Sequence, residues 1–277
     1  MMYSAEISRT SPSAFLFVID QSGSMDERME TEQTKAQFVA DVLNKTLYQL
    51  VIRCTRSEGV RNYFDVGVIG YGGDTVKSGF AGALSGRILH PLSDIEANPL
   101  RIEERTKRVP DGAGGLVDQK TKFPVWFEPT SAGGTPMSAA MRTAAEALVE
   151  WCDAHPDCYP PTIIHVTDGQ STDGDPSSIA DALRQLSTND GQCLLFNLHI
   201  SAAGGQPVVF PSSDAGLDDY GRLLLNMSSP FPAHLIAPAK DKGYESVSSE
   251  SRFFGYKAGY EAIVDFFDIG TRASNLR

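Results

Sequence analysis

The apolar run Phe15-Leu-Phe-Val-Ile19 stops abruptly at Asp20, with Ser22 and Ser24 close behind. It is short, β-branched and aromatic with no polar alternation, which predicts a strand buried on both faces. Phe64-Asp-Val-Gly-Val-Ile-Gly-Tyr71, Thr162-Ile-Ile-His165-Val-Thr-Asp168 and Cys193-Leu-Leu-Phe-Asn-Leu-His-Ile200 have the same character. Between them the apolar period shifts to that of a helix. Residues 31–53 carry Val39, Val42, Leu43, Leu47, Leu50 and Val51 at spacings of three and four, a single stripe suited to packing on a sheet. Further helices are predicted over 137–152, after Asp175-Pro176, over 217–227 and at about 257–269. Gly72-Gly73-Asp74 predicts a turn, with 75–80 as the hairpin partner. The alternation predicts an α/β fold: a doubly wound, mostly parallel sheet with one antiparallel edge strand and helices on both faces.

Residues 81–129 lose this rhythm. They hold scattered Pro and Gly, the charged stretch Arg101-Ile-Glu-Glu-Arg-Thr-Lys-Arg108 and the cluster Gly112-Ala-Gly-Gly115. The segment reads as an insertion with little sheet of its own, and a stretch this long inside a compact domain is more often functional or packed than loose. The glycine cluster follows no clear strand and lacks the Lys-Ser/Thr ending of a phosphate-cradling loop. The expected organisation is one domain over 1–277, with a core at about 13–230 and a C-terminal extension ending in the last helix.

The candidate chemistry lies where the strands end. In an open parallel sheet the last side chains of a strand face the carboxyl edge, where ligands bind. Asp20, Ser22 and Ser24 would converge there, and three oxygens at one point suit a hard cation. Asp168 ends a second strand in the same way. In Gly133-Gly134-Thr135-Pro136, Pro136 suits the first helical position and Thr135 the N-cap. Thr135 has two readings, a cap, which the sequence favours, or a ligand. Asp26, Glu27, Asp173 and Asp175 read as turn and cap residues rather than a second metal site, and His165 as a hydrogen-bonded core histidine.

With 41% hydrophobic and 21% charged residues in 277, the composition is that of a globular protein. A net charge of −11 argues against non-specific nucleic-acid binding, which depends on Lys and Arg. No apolar run approaches the roughly 18 residues of a membrane helix, and residues 1–12 are too polar for a secretory signal. A cytoplasmic protein with no membrane association is expected. Cys54, Cys152, Cys158 and Cys193 are few and scattered, so reduced structural thiols are expected, with a bridge or zinc site at Cys152 and Cys158 as the alternative.

Asp20-Gln-Ser22-Gly-Ser24 resembles the Asp-x-Ser-x-Ser signature of von Willebrand factor A domains, and Gly134-Thr135-Pro136 and Thr167-Asp168-Gly169 match the two later motifs of that family. The resemblance is clear over residues 15–201 and follows by pattern beyond them. It implies a metal-ion-dependent adhesion site. Ser22 and Ser24 would bind the metal directly, Thr135 directly or through water, and Asp20 and Asp168 mainly through water and hydrogen bonds. One position would remain for a Glu or Asp of a partner protein. The ion implied is Mg²⁺, with Mn²⁺ or Ca²⁺ as alternatives. Gly70-Tyr-Gly-Gly73 and the lack of a signal segment resemble intracellular bacterial TerY-like members, which implies an adaptor beside a kinase, phosphatase or ATPase in signalling or stress response.

The rival class is an enzyme, a metal-dependent phosphotransferase or phosphatase with Asp20 as nucleophile. That chemistry usually has a second acid two residues on, where this chain has Ser22, and no Gly-x-Ser-x-Gly surrounds Ser22 or Ser24. The sequence therefore reads as a binding module, not an enzyme.

Overall fold

A computed structural model describes residues 3–29, 32–110, 115–202, 206–273 and 276. Residues 112–114 of the glycine cluster and Thr31, the expected helix start, lie outside them. Strand β1 (Ser13–Asp20) is buried at every position and leads through a 3-10 turn at Gly23–Asp26 to α1 (Lys35–Cys54). Thr34 caps α1 with a reciprocal pair of bonds: its hydroxyl accepts from the Gln37 N–H (3.1 Å) and the Gln37 side chain accepts from its own N–H (3.0 Å). A small hairpin, β2 (Thr55–Arg56) and β3 (Gly59–Val60), returns the chain to β4 (Phe64–Gly72). There follow β5 (Thr75–Ser78), β6 (Leu89–Pro91), α2 (Leu92–Ala97), β7 (Arg101–Pro110) and β8 (Leu116–Val125). The second half runs α3 (Met137–Ala154), β9 (Thr162–Thr167), α4 (Ser177–Gln185), β10 (Ser187–Thr188), β11 (Gly191–Gln192) and β12 (Leu194–Ile200). It closes with β13 (Val208–Val209), α5 (Asp219–Met227), α6 (Ala233–Lys240), β14 (Phe254–Ala258) and α7 (Tyr260–Gly270).

The main sheet has the order β13-β14-β12-β9-β1-β4-β5, with β6 also pairing β4. The five strands from β14 to β4 run parallel. This is the expected fold class, with antiparallel pairing at both edges rather than one: β5 and β6 on β4, and β13 on β14. The pleat of β1 divides the core. Phe15, Phe17 and Ile19 face the side covered by α1, α2, α6 and α7, while Ala14, Leu16 and Val18 face α3, α4 and α5. Being covered on both sides, β1 can be apolar without alternation.

Two expectations need correction. The stretch 81–129 has a sheet of its own, since β7 and β8 pair over ten positions from Arg101↔Val125 to Pro110↔Leu116. Its strands are rich in Arg, Lys and Glu because the hairpin buries little, so neither apolar alternation nor β-propensity betrays it. The core also reaches past residue 230: β14 pairs in parallel with β12, and Ile263, Phe266 and Phe267 of α7 are fully buried. The thiols are free and buried, and Cys152 Sγ faces Cys193 Sγ at 4.0 Å rather than Cys158. Among the described residues no helix is long and apolar enough to cross a membrane.

His165 is a core histidine, as expected. It has no exposure; its Nδ1 lies 2.8 Å from Asn197 Oδ1 and its Nε2 2.7 Å from the Tyr71 hydroxyl. The Asn197 amide nitrogen donates to Ser228 Oγ at 3.0 Å, which leaves the amide oxygen to accept from Nδ1–H. Burial pushes the imidazole down to about 4. An unfolded histidine titrates near ~6.5. The unfolded chain therefore takes up the proton first, and this group's contribution to stability is lost as pH falls from the unfolded towards the folded value. His165→Gln, which cannot titrate, should lose about 2 to 3 kcal/mol less than the wild type between about pH 7 and pH 4.5 in urea unfolding.

Candidate metal centre

The parallel register sets the site. Ile19 pairs with Val166 on one side of β1 and Asp20 with Tyr71 on the other. Asp20 therefore ends its strand beside Thr167, the last residue of β9. The chain leaves β1 towards β4 on one side and reaches β9 and β12 on the other. The β1/β9 boundary is thus the point where strand order reverses, the usual crevice for ligands in such sheets.

Three loops close over it. Gly23 N–H donates to the Gly133 carbonyl (2.9 Å), Gly73 N–H to Gly134 (2.9 Å) and Ala132 N–H to Gln21 (2.8 Å). The approach is close enough to require glycine. A Cβ on Gly72 would stand 2.2 Å from the Gln21 carbonyl oxygen, and one on Gly133, whose φ is +60°, 2.6 Å from Gly73 Cα.

Within this frame Asp20, 1% exposed, accepts from the Ser22 N–H (2.8 Å) on one oxygen and from the Thr167 hydroxyl (2.7 Å) on the other. The Ser22 and Ser24 hydroxyls are 3.1 Å apart, and Ser24 Oγ donates to Asp168 Oδ1 at 2.6 Å. Thr135 is buried. A Cβ placed on Gly169 would lie 3.8 Å from both the Ser24 and the Thr135 hydroxyl oxygens, so those two groups flank the same backbone. All five residues singled out in the sequence meet at one end of the sheet.

Thr135 does not cap α3. The helix starts at Met137, with Pro136 at the cap position and no side-chain bond from it. The cap is supplied from another loop: Asp173 accepts from the Ser138 N–H (2.9 Å) and the Ala139 N–H (2.8 Å). Thr172 holds the preceding turn, its hydroxyl accepting from the Thr135 N–H at 2.9 Å and its own N–H donating to the Thr135 carbonyl at 2.9 Å. Asp173 replaces the expected threonine cap because a carboxylate reaching in from residue 173 spans two free amides at once. Asp175 is a local turn residue, accepting from the Ser177 N–H at 2.9 Å.

Sequence reasoning missed Lys35. It opens α1, its side chain is only 4% exposed, and its Nζ lies 2.9 Å from Asp168 Oδ2 and 2.5 Å from Glu27 Oε2. Burial works against the ammonium, but bonds to Glu27 and Asp168 outweigh it and raise the pKa, so it stays charged. A single Lys before an amphipathic helix carries no signal of such a contact. Thr167 stood in the sequence as part of a motif but without its bond to Asp20, and Tyr220, whose hydroxyl donates to the Gly169 carbonyl, was missed as a site residue.

The electrostatics leave one carboxylate without a cation. Asp168 has Lys35, whereas among the described residues Asp20 has only hydrogen-bond donors. Burial pushes Asp20 up to about 6, against the bonds from Ser22 and Thr167 and with the Asp168 charge adding to the rise. No three His, Cys, Asp or Glu side chains among the described residues group as a metal site. The candidate set is two carboxylates and three hydroxyls, a donor set of hard oxygens that fits a small divalent cation rather than zinc.

Neither a family model nor a curated protein matches the chain. Solved structures with some likeness include the vWF domain of the type V pili tip protein Mfa5 from Porphyromonas gingivalis. It is 15% identical with a TM-score of 0.33, over 58% of this chain and 39% of that one. The pilus adhesin SpaC from Lactobacillus rhamnosus GG is 14% identical with a TM-score of 0.49, over 96% and 31%. The pilus adhesin RrgA from Streptococcus pneumoniae is 17% identical with a TM-score of 0.32, over 61% and 22%. The chain thus spans well under half the length of each. At these scores the likenesses carry no part of the functional reading.

The loop packing gives a test that needs no metal. Gly72→Ala drives a methyl into the Gln21 backbone and should cost about 1 to 3 kcal/mol in urea unfolding, with faster amide exchange at Ser22 and Gly23. Gly86→Ala, with nothing within 4 Å of its Cβ, should be close to neutral.

Proposed function

We propose that this chain is a metal-dependent protein-binding module, an adaptor or scaffold that presents a divalent cation, Mg²⁺ foremost, to a Glu or Asp of a partner protein. The observation that carries the proposal is the grouping of the Ser22, Ser24 and Thr135 hydroxyls at the end of the sheet that holds two buried carboxylates, one of which has no cationic partner among the described residues. When bound, the ion supplies a Lewis-acidic centre open to a carboxylate ligand.

The protein's side chains divide the work. Ser22 and Ser24 are the neutral donors, and Ser24 is oriented by its bond to Asp168. Asp20 holds the Ser22 backbone and is held by Thr167, which makes it an organiser of the loop. Its burial, with both oxygens engaged, argues against a nucleophile, so the phosphotransferase reading is not favoured. Following the family resemblance, the partner is a protein such as a kinase, phosphatase or ATPase in a bacterial signalling or stress-response system, met in the cytoplasm.

Titration calorimetry of the full chain with MgCl₂ tests this. The Ser22→Ala/Ser24→Ala double variant should lose Mg²⁺ binding while keeping its circular dichroism spectrum. Asp168→Asn, which acts through Ser24, should weaken it by about 10–100-fold. Undiminished affinity in the double variant rejects the site; Mg²⁺-dependent phosphate-ester turnover that vanishes in Asp20→Asn would favour the enzyme instead.

A further inference from the structure

We propose that Lys35 is a built-in cation of this site, which offsets the charge of Asp168 and so weakens metal binding while leaving the loaded centre more attractive to an outside carboxylate. The inference rests on the metal-binding reading above.

Lys35 stands in an unfavourable place for a lysine. It is the first residue of α1, where the positive end of the helix dipole opposes a cation, and its side chain is nearly as buried as the core. Ordinary lysines extend their ammonium into water. This one turns inward to a carboxylate that is itself 0% exposed, and its remaining contact, Glu27, is 61% exposed. The buried end of the contact is therefore Asp168, not the surface pair.

Asp168 bridges two partners. Oδ2 meets the ammonium at 2.9 Å and Oδ1 takes the Ser24 hydroxyl at 2.6 Å. One carboxylate therefore separates a fixed positive charge from a proposed ligand atom. The Glu27 carboxylate on the same ammonium is solvated and its charge screened, so the buried groups sum to one negative charge, from Asp20 and Asp168 less Lys35. A dication added to them leaves a net positive centre, which favours an anionic ligand from a partner; without Lys35 the two carboxylates would neutralise it. The same ammonium keeps Asp168 paired when no metal is bound.

The test compares full-length Lys35→Gln, Lys35→Met and Lys35→Arg with the wild type. Glutamine removes the charge but still donates to Asp168, and carries the comparison if the methionine variant does not fold. In Mg²⁺ calorimetry the neutral variants should bind about tenfold more tightly, the scale of a nearby unit charge acting on a dication through solvent, and arginine should match the wild type. Thermal unfolding should show a larger Mg²⁺-induced rise in Tm for the neutral variants. Acetate, titrated against the Mg²⁺-loaded proteins by NMR, should bind the neutral variants more weakly. Lys35→Gln binding Mg²⁺ no more tightly than a wild type that does bind it overturns the role of Lys35 alone, as does Lys35→Arg behaving like Lys35→Gln. A wild type without Mg²⁺ affinity overturns the metal reading and this inference with it.

Discussion

Two carboxylates with almost no exposure, Asp20 and Asp168, lie at adjacent strand ends, and the local architecture answers their charge. Burying an ionised carboxylate is costly unless hydrogen bonds and opposite charge surround it. The Ser22 amide and the Thr167 hydroxyl serve Asp20, while the Ser24 hydroxyl and the Lys35 ammonium serve Asp168. The donors come from three parts of the chain, so the site ties together the loop after β1, which supplies Ser22 and Ser24, the start of α1 and the end of β9.

The glycines make this gathering possible. Gly72 and Gly133 allow backbone to pass against backbone, which brings the 21–24, 72–74 and 132–135 segments within hydrogen-bonding distance. A second layer fixes α3: Asp173 caps its first turn and Thr172 clamps Thr135. The hydroxyls thus rest on loops whose backbones are bonded to one another, and any shift of one loop is transmitted to the next. Such a frame fixes the positions of the Ser22, Ser24 and Thr135 side chains relative to one another.

Much of this was legible in the sequence, for identifiable reasons. Strands buried on both faces leave unbroken apolar runs, so β1, β4, β9 and β12 announced themselves, and Asp20 and Asp168 stood out because each interrupts such a run. What stayed hidden depends on contacts distant in sequence. Lys35 lies 133 positions from Asp168, and Asp173 replaces Thr135 as a cap only because two loops meet. The β7–β8 hairpin was missed because its stability is borrowed. Arg105 pairs with Asp41 of α1 at 2.8 Å and covers the Phe123 ring at 3.7 Å, while Asn44 of α1 bonds the backbone of Trp126 and Phe127 just beyond it. A two-stranded ribbon alone is marginal in water; anchored to a helix, it can afford a charged sequence.

The two carboxylates also differ in a way that assigns them different work. Asp168 has the Lys35 ammonium as a counter-charge on one oxygen and orients Ser24 with the other. Asp20 has donors but no counter-charge among the described residues, and its rise to about 6 marks the cost of keeping that charge buried. A proton or a positive charge nearby relieves that cost, and in the proposed metal centre the cation held beside Ser22, whose backbone is bonded to Asp20, would supply it. The division runs through the whole site: one acid fixed by a lysine sets direction, the other, left short of positive charge, sets demand.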